Sequence, residues 1–215
     1  FGISNTDVVA RVDGDLRHWN QPYHGDPDEA SVRAILRAGG VHLDDLRRLA
    51  TLDVLPDLQM ANELQCALID ATAPAPSVEA ILHALIPHKF VDHTHANAIV
   101  TLTNNPNGRD HVRNVFGDDV VVIPYVMPGF RLAKLCAEAF AKQYRDGMQG
   151  MILLNHGIFT FGATARESYE RMIALVARAE AYLEQFTPAP VEIAPPEPIV
   201  LREELANFRQ RVSAA

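Results

Sequence analysis

The spacing of apolar residues along the chain alternates between helical and strand periods, a pattern typical of a mixed α/β protein. From Leu43 onward, apolar side chains recur at helical spacing with charged residues between them, which predicts amphipathic helices. Proline ends several of these runs, as Pro87 does after the helix that begins near Ser77. The predicted helices cover residues 43–52, 57–70, 78–86, 97–103, 110–116, 132–140, 165–186 and 203–212.

Short apolar and β-branched runs lie between these helices and predict strands. The clearest is Val-Val-Val-Ile at residues 120–123, which is closed by a proline. Residues 18–28 are polar and rich in turn formers, so no strand is predicted there. The alternation favours a fold in which helices pack on a central sheet. The predicted strands cover residues 7–12, 90–95, 120–123, 150–154 and 157–161.

The end of the chain differs in composition from the rest. Prolines at 188, 190, 195, 196 and 198 predict an extended linker. We therefore expect one large domain over residues 1–187, followed over residues 188–215 by this linker and a C-terminal helix. The chain starts at Phe1 without an initiator methionine, so further residues are expected to precede it.

Composition narrows the class of protein. Hydrophobic residues make up 48% and charged residues 21%, values that exclude a disordered tail protein. A formal net charge of −8 argues against binding to nucleic acid or to an anionic membrane through the overall field. No apolar run approaches the ~18 residues that span a bilayer. The two cysteines, Cys66 and Cys136, are predicted to be buried free thiols, which favours a cytoplasmic location.

The histidines are the residues that indicate a metal-binding site. His93 and His95 are two positions apart on a predicted strand, so their side chains share one face about 7 Å apart and can hold one metal ion. His156 follows an apolar strand and precedes Gly157, a position that faces a cleft. Each histidine also has a structural interpretation, as a surface residue or as a strand-end residue bonded to backbone. Asp92 points to the opposite face, which favours a structural role.

A carboxylate and a hydroxyl stand together at the start of one predicted helix. Glu79 in the first turn is either a residue that stabilises the helix dipole or a general base directed at a metal ion. Ser77 is either a helix N-cap or part of an anion site at the helix start. The residues alone leave both alternatives open.

Four segments, taken in order, resemble the class II aldolase/adducin family, and the branch they resemble is the aldolase half of bifunctional rhamnulose-1-phosphate aldolase/short-chain dehydrogenases. The similarity extends from about Leu43 to Gln185. It rests on several separate motifs that agree in order and spacing. The segments are Pro76-Ser77-Val78-Glu79, Leu82-His83-Ala84, His93-Thr94-His95-Ala96 and Leu154-Asn155-His156-Gly157.

The resemblance implies a three-layer α/β/α fold with a central mixed or antiparallel sheet, assembled as a homotetramer with active sites between subunits. It implies a divalent ion, most often Zn²⁺, held by His93, His95 and His156. It also makes Glu79 the catalytic acid/base and Ser77 a contact for a phosphate. The expected reaction is cleavage of a ketose 1-phosphate, such as rhamnulose 1-phosphate, to dihydroxyacetone phosphate and an aldehyde through a metal-stabilised enediolate.

Two other functions are compatible with the same motifs. One is a sugar-phosphate epimerase or dehydratase, which would use the same metal site. The other is a non-catalytic assembly module like the adducin branch, although the combination of three histidines with Glu79 argues against it.

The chain departs from the family pattern at its two ends. Where the family carries a glycine-rich Gly-Asn-Thr-Ser phosphate loop, this sequence has Ser4-Asn5-Thr6-Asp7, so the loop is expected to be missing or divergent. No GxGxxG motif of a dehydrogenase half occurs, and such a half is expected to follow Ala215 if one exists.

Overall fold

The computed structural model describes residues 6–12, 15–20, 40–73, 75–186 and 198–213. It divides into two compact units, Phe1–Gln185 and Phe186–Ala215. The second unit contains a single described helix, and the rest of the fold belongs to the first unit. The predicted domain limits at residue 187 stay a prediction.

A six-stranded mixed sheet forms the centre of the first unit, in the order β2-β1-β3-β6-β5-β4. All neighbouring strands are antiparallel except β4 and β5, which run parallel. The predicted central mixed sheet is therefore confirmed. The strands are β1 Thr6–Val12, β2 Asp15–Asn20, β3 Phe90–Thr94, β4 Val120–Ile123, β5 Gly150–Leu153 and β6 Gly157–Gly162.

Helices cover both faces of the sheet and give it three layers. One apolar cluster packs α1, α2, α3 and α6 on one face, and a second cluster packs α4, α5 and α7 on the other. The helix α7 begins at a cap in which the Glu167 amide donates to the Thr164 hydroxyl. The helices are α1 Leu43–Leu49, α2 Asp57–Cys66, α3 Ala80–Leu85, α4 Asn97–Thr103, α5 Gly108–Phe116, α6 Phe130–Gln143, α7 Ala165–Glu184 and α8 Pro198–Ser213.

Three details of the sequence interpretation are wrong. Strand β2 lies partly in the segment predicted to be polar turns, because pairing with β1 stabilises a strand that has little apolar pattern of its own. Val78, the first residue of the helix predicted over residues 78–86, is 41% exposed and lies outside the helix, because α3 begins only at Ala80. Cys66, predicted to be buried, is exposed, whereas Cys136 is buried as expected. Of the divergent N-terminal segment, Ser4 and Asn5 lie outside the described residues.

Among the residues that the structure describes, no helix is both long enough and apolar enough to cross a membrane.

Asp92 is a buried carboxyl group on the sheet face that packs against α7. Its side chain is 4% exposed, and its strand neighbour Thr160 donates a hydrogen bond to the Ser168 carbonyl on α7. Burial, opposed by a hydrogen bond with Ser168, raises the pKa of Asp92 from 3.8 to about 7. The expectation that Asp92 points away from the histidines is confirmed.

Asp92→Asn is expected to stabilise the metal-free protein above pH 7 and to have little effect near pH 4. The unfolded chain releases this proton near pH 4, but the folded chain holds it until about pH 7. Since the folded state then binds more protons, wild-type stability falls as pH rises through that window. The gain in the free energy of unfolding should reach about 4 kcal/mol at pH 7.5, measured by urea titration.

The surface residue Asp146 provides the control, because it is exposed. Asp146→Asn should change the free energy of unfolding equally little at both pH values. A gain for Asp92→Asn that is the same at pH 4 and pH 7.5 would contradict a buried, protonated Asp92.

Candidate metal centre

The centre lies at the end of the central strands, where β3 and β5 finish and β6 begins. His93 lies on β3 and His95 directly follows it, while His156 lies in the turn that joins β5 to β6. Because β3 and β5 both run antiparallel to β6, their carboxyl ends meet at this end of the sheet. Glu79 reaches the same point from the residue before α3.

Four donor atoms converge there. The Nε2 atom of His95 lies 2.9 Å from Nε2 of His93 and 2.9 Å from Nε2 of His156. The Glu79 carboxylate lies 2.8 Å from His156 Nε2 and 3.3 Å from His93 Nε2. All four donors fall within 4.8 Å of one another, and together they could hold a metal ion.

The orientation of His93 is fixed by groups that the sequence interpretation did not identify. Its ring Nδ1 lies 2.9 Å from the Ile158 carbonyl, and because a carbonyl only accepts, Nδ1 carries the proton. Nε2 is directed at the centre, where it donates to Glu79 when protonated and can bind a metal ion through its lone pair when the proton is absent. The ring also stacks on Phe159, its register partner on β6, with centroids 4.0 Å apart.

The turn that presents His156 depends on its two neighbours. Asn155 adopts φ 59°, a left-handed conformation that asparagine tolerates better than most residues. Its amide donates to the Thr103 hydroxyl and its side chain donates to the Asn104 side chain. The preference of asparagine for this conformation was the available signal in the sequence, although no role was predicted for Asn155.

Gly157→Ala is expected to weaken metal binding by about 10- to 100-fold. A Cβ at this position would lie 2.5 Å from the Thr94 carbonyl oxygen, 3.0 Å from a ring carbon of His95 and 3.1 Å from one of His93. Either the ligands or the strand must shift. Metal content after dialysis against a competing chelator measures the effect.

Gly117→Ala is the control variant that distinguishes backbone strain from steric crowding of the metal ligands. Gly117 has φ +53°, and its Cβ would meet nothing within 4 Å. This variant should lose some stability through the strained conformation and keep its metal affinity. Equal metal loss in both variants would contradict the steric argument for Gly157.

Electrostatics favours a charged Glu79 beside the histidines. Burial opposes the charge, but the charge of His93 and hydrogen bonds from His156, His93 and His95 outweigh it and hold the pKa of Glu79 well below its usual range. On α6, burial and then the charge of Glu79 raise the pKa of the Cys136 thiol to about 12. In the metal-free protein Glu79 is therefore a carboxylate at neutral pH, and the Cys136 thiol is neutral.

The donor set fits a divalent ion of the zinc group. Three imidazoles and a carboxylate are typical ligands of Zn²⁺ and its neighbours. The Nε2 atom of His95 lies 2.9 Å from each of the other two Nε2 atoms, and a cation bound between the three imidazoles would satisfy their lone pairs together. Ser77 is joined to this centre through Glu79, because its Oγ accepts a hydrogen bond from the Glu79 amide at 3.2 Å.

Comparison with known proteins decides the family. Residues 31–183 match the family model described as Class II Aldolase and Adducin N-terminal domain, which is well over half of the chain. The chain belongs to this family. The resemblance identified from the sequence motifs is thereby confirmed, and so is its α/β fold.

Two relatives show how near other family members are to this class II aldolase domain. The solved N-terminal class II aldolase domain of a conserved protein from Thermoplasma acidophilum is 35% identical, with TM-score 0.67 and 83% of each chain covered. A protein of Bacillus subtilis, named uncharacterized oxidoreductase YuxG, is 38% identical over 144 residues, or 67% of this chain. The matched region is 21% of that relative, so the chain corresponds to about a fifth of its length.

A more distant structure shares the fold. The sugar-phosphate aldolase from Thermotoga maritima is 14% identical, with TM-score 0.54 and coverage of 88% of this chain and 89% of that one.

Proposed function

We propose that this class II aldolase domain cleaves a ketose 1-phosphate, such as rhamnulose 1-phosphate, to dihydroxyacetone phosphate and an aldehyde. The observation that carries the proposal is the Glu79 carboxylate, buried and charged, at the point where three imidazole Nε2 atoms converge. His93, His95 and His156 would hold the ion, most often Zn²⁺. When bound, the ion would act as a Lewis acid that stabilises negative charge on the substrate oxygens.

The reaction requires the transfer of one proton, which a single carboxylate can carry out. Breaking the C3–C4 bond leaves its electron pair on C3, while the C4 hydroxyl loses its proton and becomes the aldehyde. The net change is transfer of one proton from the C4 oxygen to C3. Glu79 is charged before the reaction and can accept this proton and return it, provided that both substrate atoms lie within hydrogen-bond reach.

Glu79 is close enough to the histidines to be a fourth ligand as well. A centre closed by four protein ligands is typical of structural zinc, whereas a catalytic centre keeps a position open for substrate. His95 is 41% exposed, so the centre is accessible from one side. We assign Glu79 the proton-transfer role because access of this kind serves a substrate and has no use in a structural site.

The phosphate contact, the assembly and the location are further parts of the proposal. Ser77 stands just before α3, and its Oγ can accept from the Glu79 amide while its O–H donates to a substrate phosphate. A homotetramer with sites between subunits rests on the resemblance. A cytoplasmic location rests on the two free thiols, Cys66 and Cys136.

An oxidoreductase relative several times longer supports a natural context in which a dehydrogenase half is fused to this domain.

Substrate assays on the metal-stripped and reloaded protein test the proposal. Rhamnulose 1-phosphate and fuculose 1-phosphate are supplied separately, and dihydroxyacetone phosphate is measured by its enzymatic reduction. Release of this product only after loading with Zn²⁺ supports an aldolase. A pentulose phosphate is supplied in a third reaction, and its epimerisation without cleavage would favour the epimerase. A protein that binds no metal would favour the assembly module.

A further inference from the structure

The helix α8 carries an apolar stripe outside the region that defines the family. It covers Pro198–Ser213, whereas the family match ends at residue 183. Leu205, Phe208 and Val212 are 53%, 62% and 60% exposed. Large apolar side chains exposed in this way on one short helix need an explanation in terms of a partner.

The stripe has the spacing of a helix–helix seam. Leu205, Phe208 and Val212 are separated by three and then four positions, and in the sequence Leu201 extends the series by four. Alternation of three and four is the a/d pattern of a two-stranded coiled coil, with Leu205 and Val212 at a and Phe208 at d. Such a seam presents the same residues on both helices, so a second copy of α8 fits it.

Charges beside the stripe select a parallel pair. Glu204 and Arg209 occupy the flanking g and e positions, which face each other across a parallel pair. In that arrangement Glu204 of each copy meets Arg209 of the other, so two attractions form. In the antiparallel arrangement Arg202 would face Arg209, and this repulsion would offset the attraction between Glu204 and Arg211. Neither Glu204 nor Arg209 makes an ion pair with another residue among those described.

From this stripe and these charges we propose that α8 is a self-association helix, which pairs in parallel with α8 of a second copy of the chain. The seam consists of Leu205, Phe208 and Val212, and Glu204–Arg209 pairs fix its direction. Two heptads give a weak and reversible pair, because isolated helices of this length are marginal in water. The pairing is therefore best detected by covalent trapping.

Disulfide trapping in the full chain tests the register. Cys66 is exposed and is first replaced in a Cys66→Ser background, while Cys136 is buried and stays. In a parallel pair, the two Val212→Cys side chains face each other and should form a disulfide dimer under mild oxidation. Gln210→Cys is the control, since residue 210 is exposed but lies off the stripe. It should give at least about tenfold less dimer, which corresponds to a 1.4 kcal/mol difference.

Charge reversal tests whether the two α8 helices pair in parallel, and it leaves the apolar seam unchanged. Glu204→Arg and Arg209→Glu should each lower the Val212→Cys dimer yield by roughly fivefold, and the double reversal should restore it. Three outcomes would overturn the proposal. They are equal trapping at residues 210 and 212, a Val212→Cys protein that forms no disulfide-linked dimer, and trapping between Leu205→Cys and Phe208→Cys chains without trapping at 212.

Discussion

Glu79→Gln is expected to lower the rate of ketose 1-phosphate cleavage by about 10²- to 10⁴-fold, the usual contribution of a general acid or base. The amide keeps the size of the side chain and removes both the charge and the ability to accept a proton. The three imidazoles remain, so metal content should stay near that of the wild type. The measurement pairs the initial rate of dihydroxyacetone phosphate formation with the metal content of the same preparation.

An exposed glutamate outside the centre provides the control for this variant. Glu138 lies exposed on α6, so Glu138→Gln should retain wild-type activity. Full activity in Glu79→Gln would remove Glu79 from the mechanism. Loss of metal together with activity would instead identify Glu79 as a ligand that holds the ion.

Removing the metal is expected to lower the melting temperature of the protein by roughly 10 °C. An ion present at a thousandfold excess over its dissociation constant stabilises the folded state by about 4 kcal/mol. Each kcal/mol shifts the melting temperature of a chain of this size by about 2–4 °C. Differential scanning calorimetry with and without a chelator measures this difference, which should also disappear in acid because protonated imidazoles release the ion.

His93→Ala is the variant that makes this thermal test specific. His93 is 1% exposed, and loss of its ring will lower stability by itself, so only the response to chelator is compared. That response should be lost in His93→Ala and preserved in His42→Ala, because His42 is an exposed residue outside the centre. A response that survives in His93→Ala would mean that the ion is bound elsewhere.

The sequence identified the donors of the centre but not what orients them. Histidines two apart on a strand, and another beside a glycine, are recognisable because residue type and strand period are local properties. The Ile158 carbonyl and the Phe159 ring that fix His93 come from a neighbouring strand, so only the register between β3 and β6 reveals them. Ser77 illustrates a local contact, since its Oγ accepts from the amide of Glu79 two residues on, although the N-cap of α3 lies at Glu79 and not at Ser77.

Where the sequence interpretation was wrong, an interaction outside the segment had decided the structure. Strand β2 has little apolar alternation and exists through its pairing with β1. The exposure of Cys66 depends on how α2 packs, which a helical pattern alone leaves open. Local propensity is a weak determinant compared with packing in both places.

The sequence by itself determined the order of the helices and of the strands other than β2, the family and the kinds of donor atom available, because these depend on local spacing and residue chemistry. Only the tertiary structure decided that His95 and His156, 61 positions apart, bring their Nε2 atoms within 2.9 Å. It also placed a buried carboxylate against them. The physical reason is that β3 and β5 both pair antiparallel with β6, which carries residues distant in sequence to one end of one sheet.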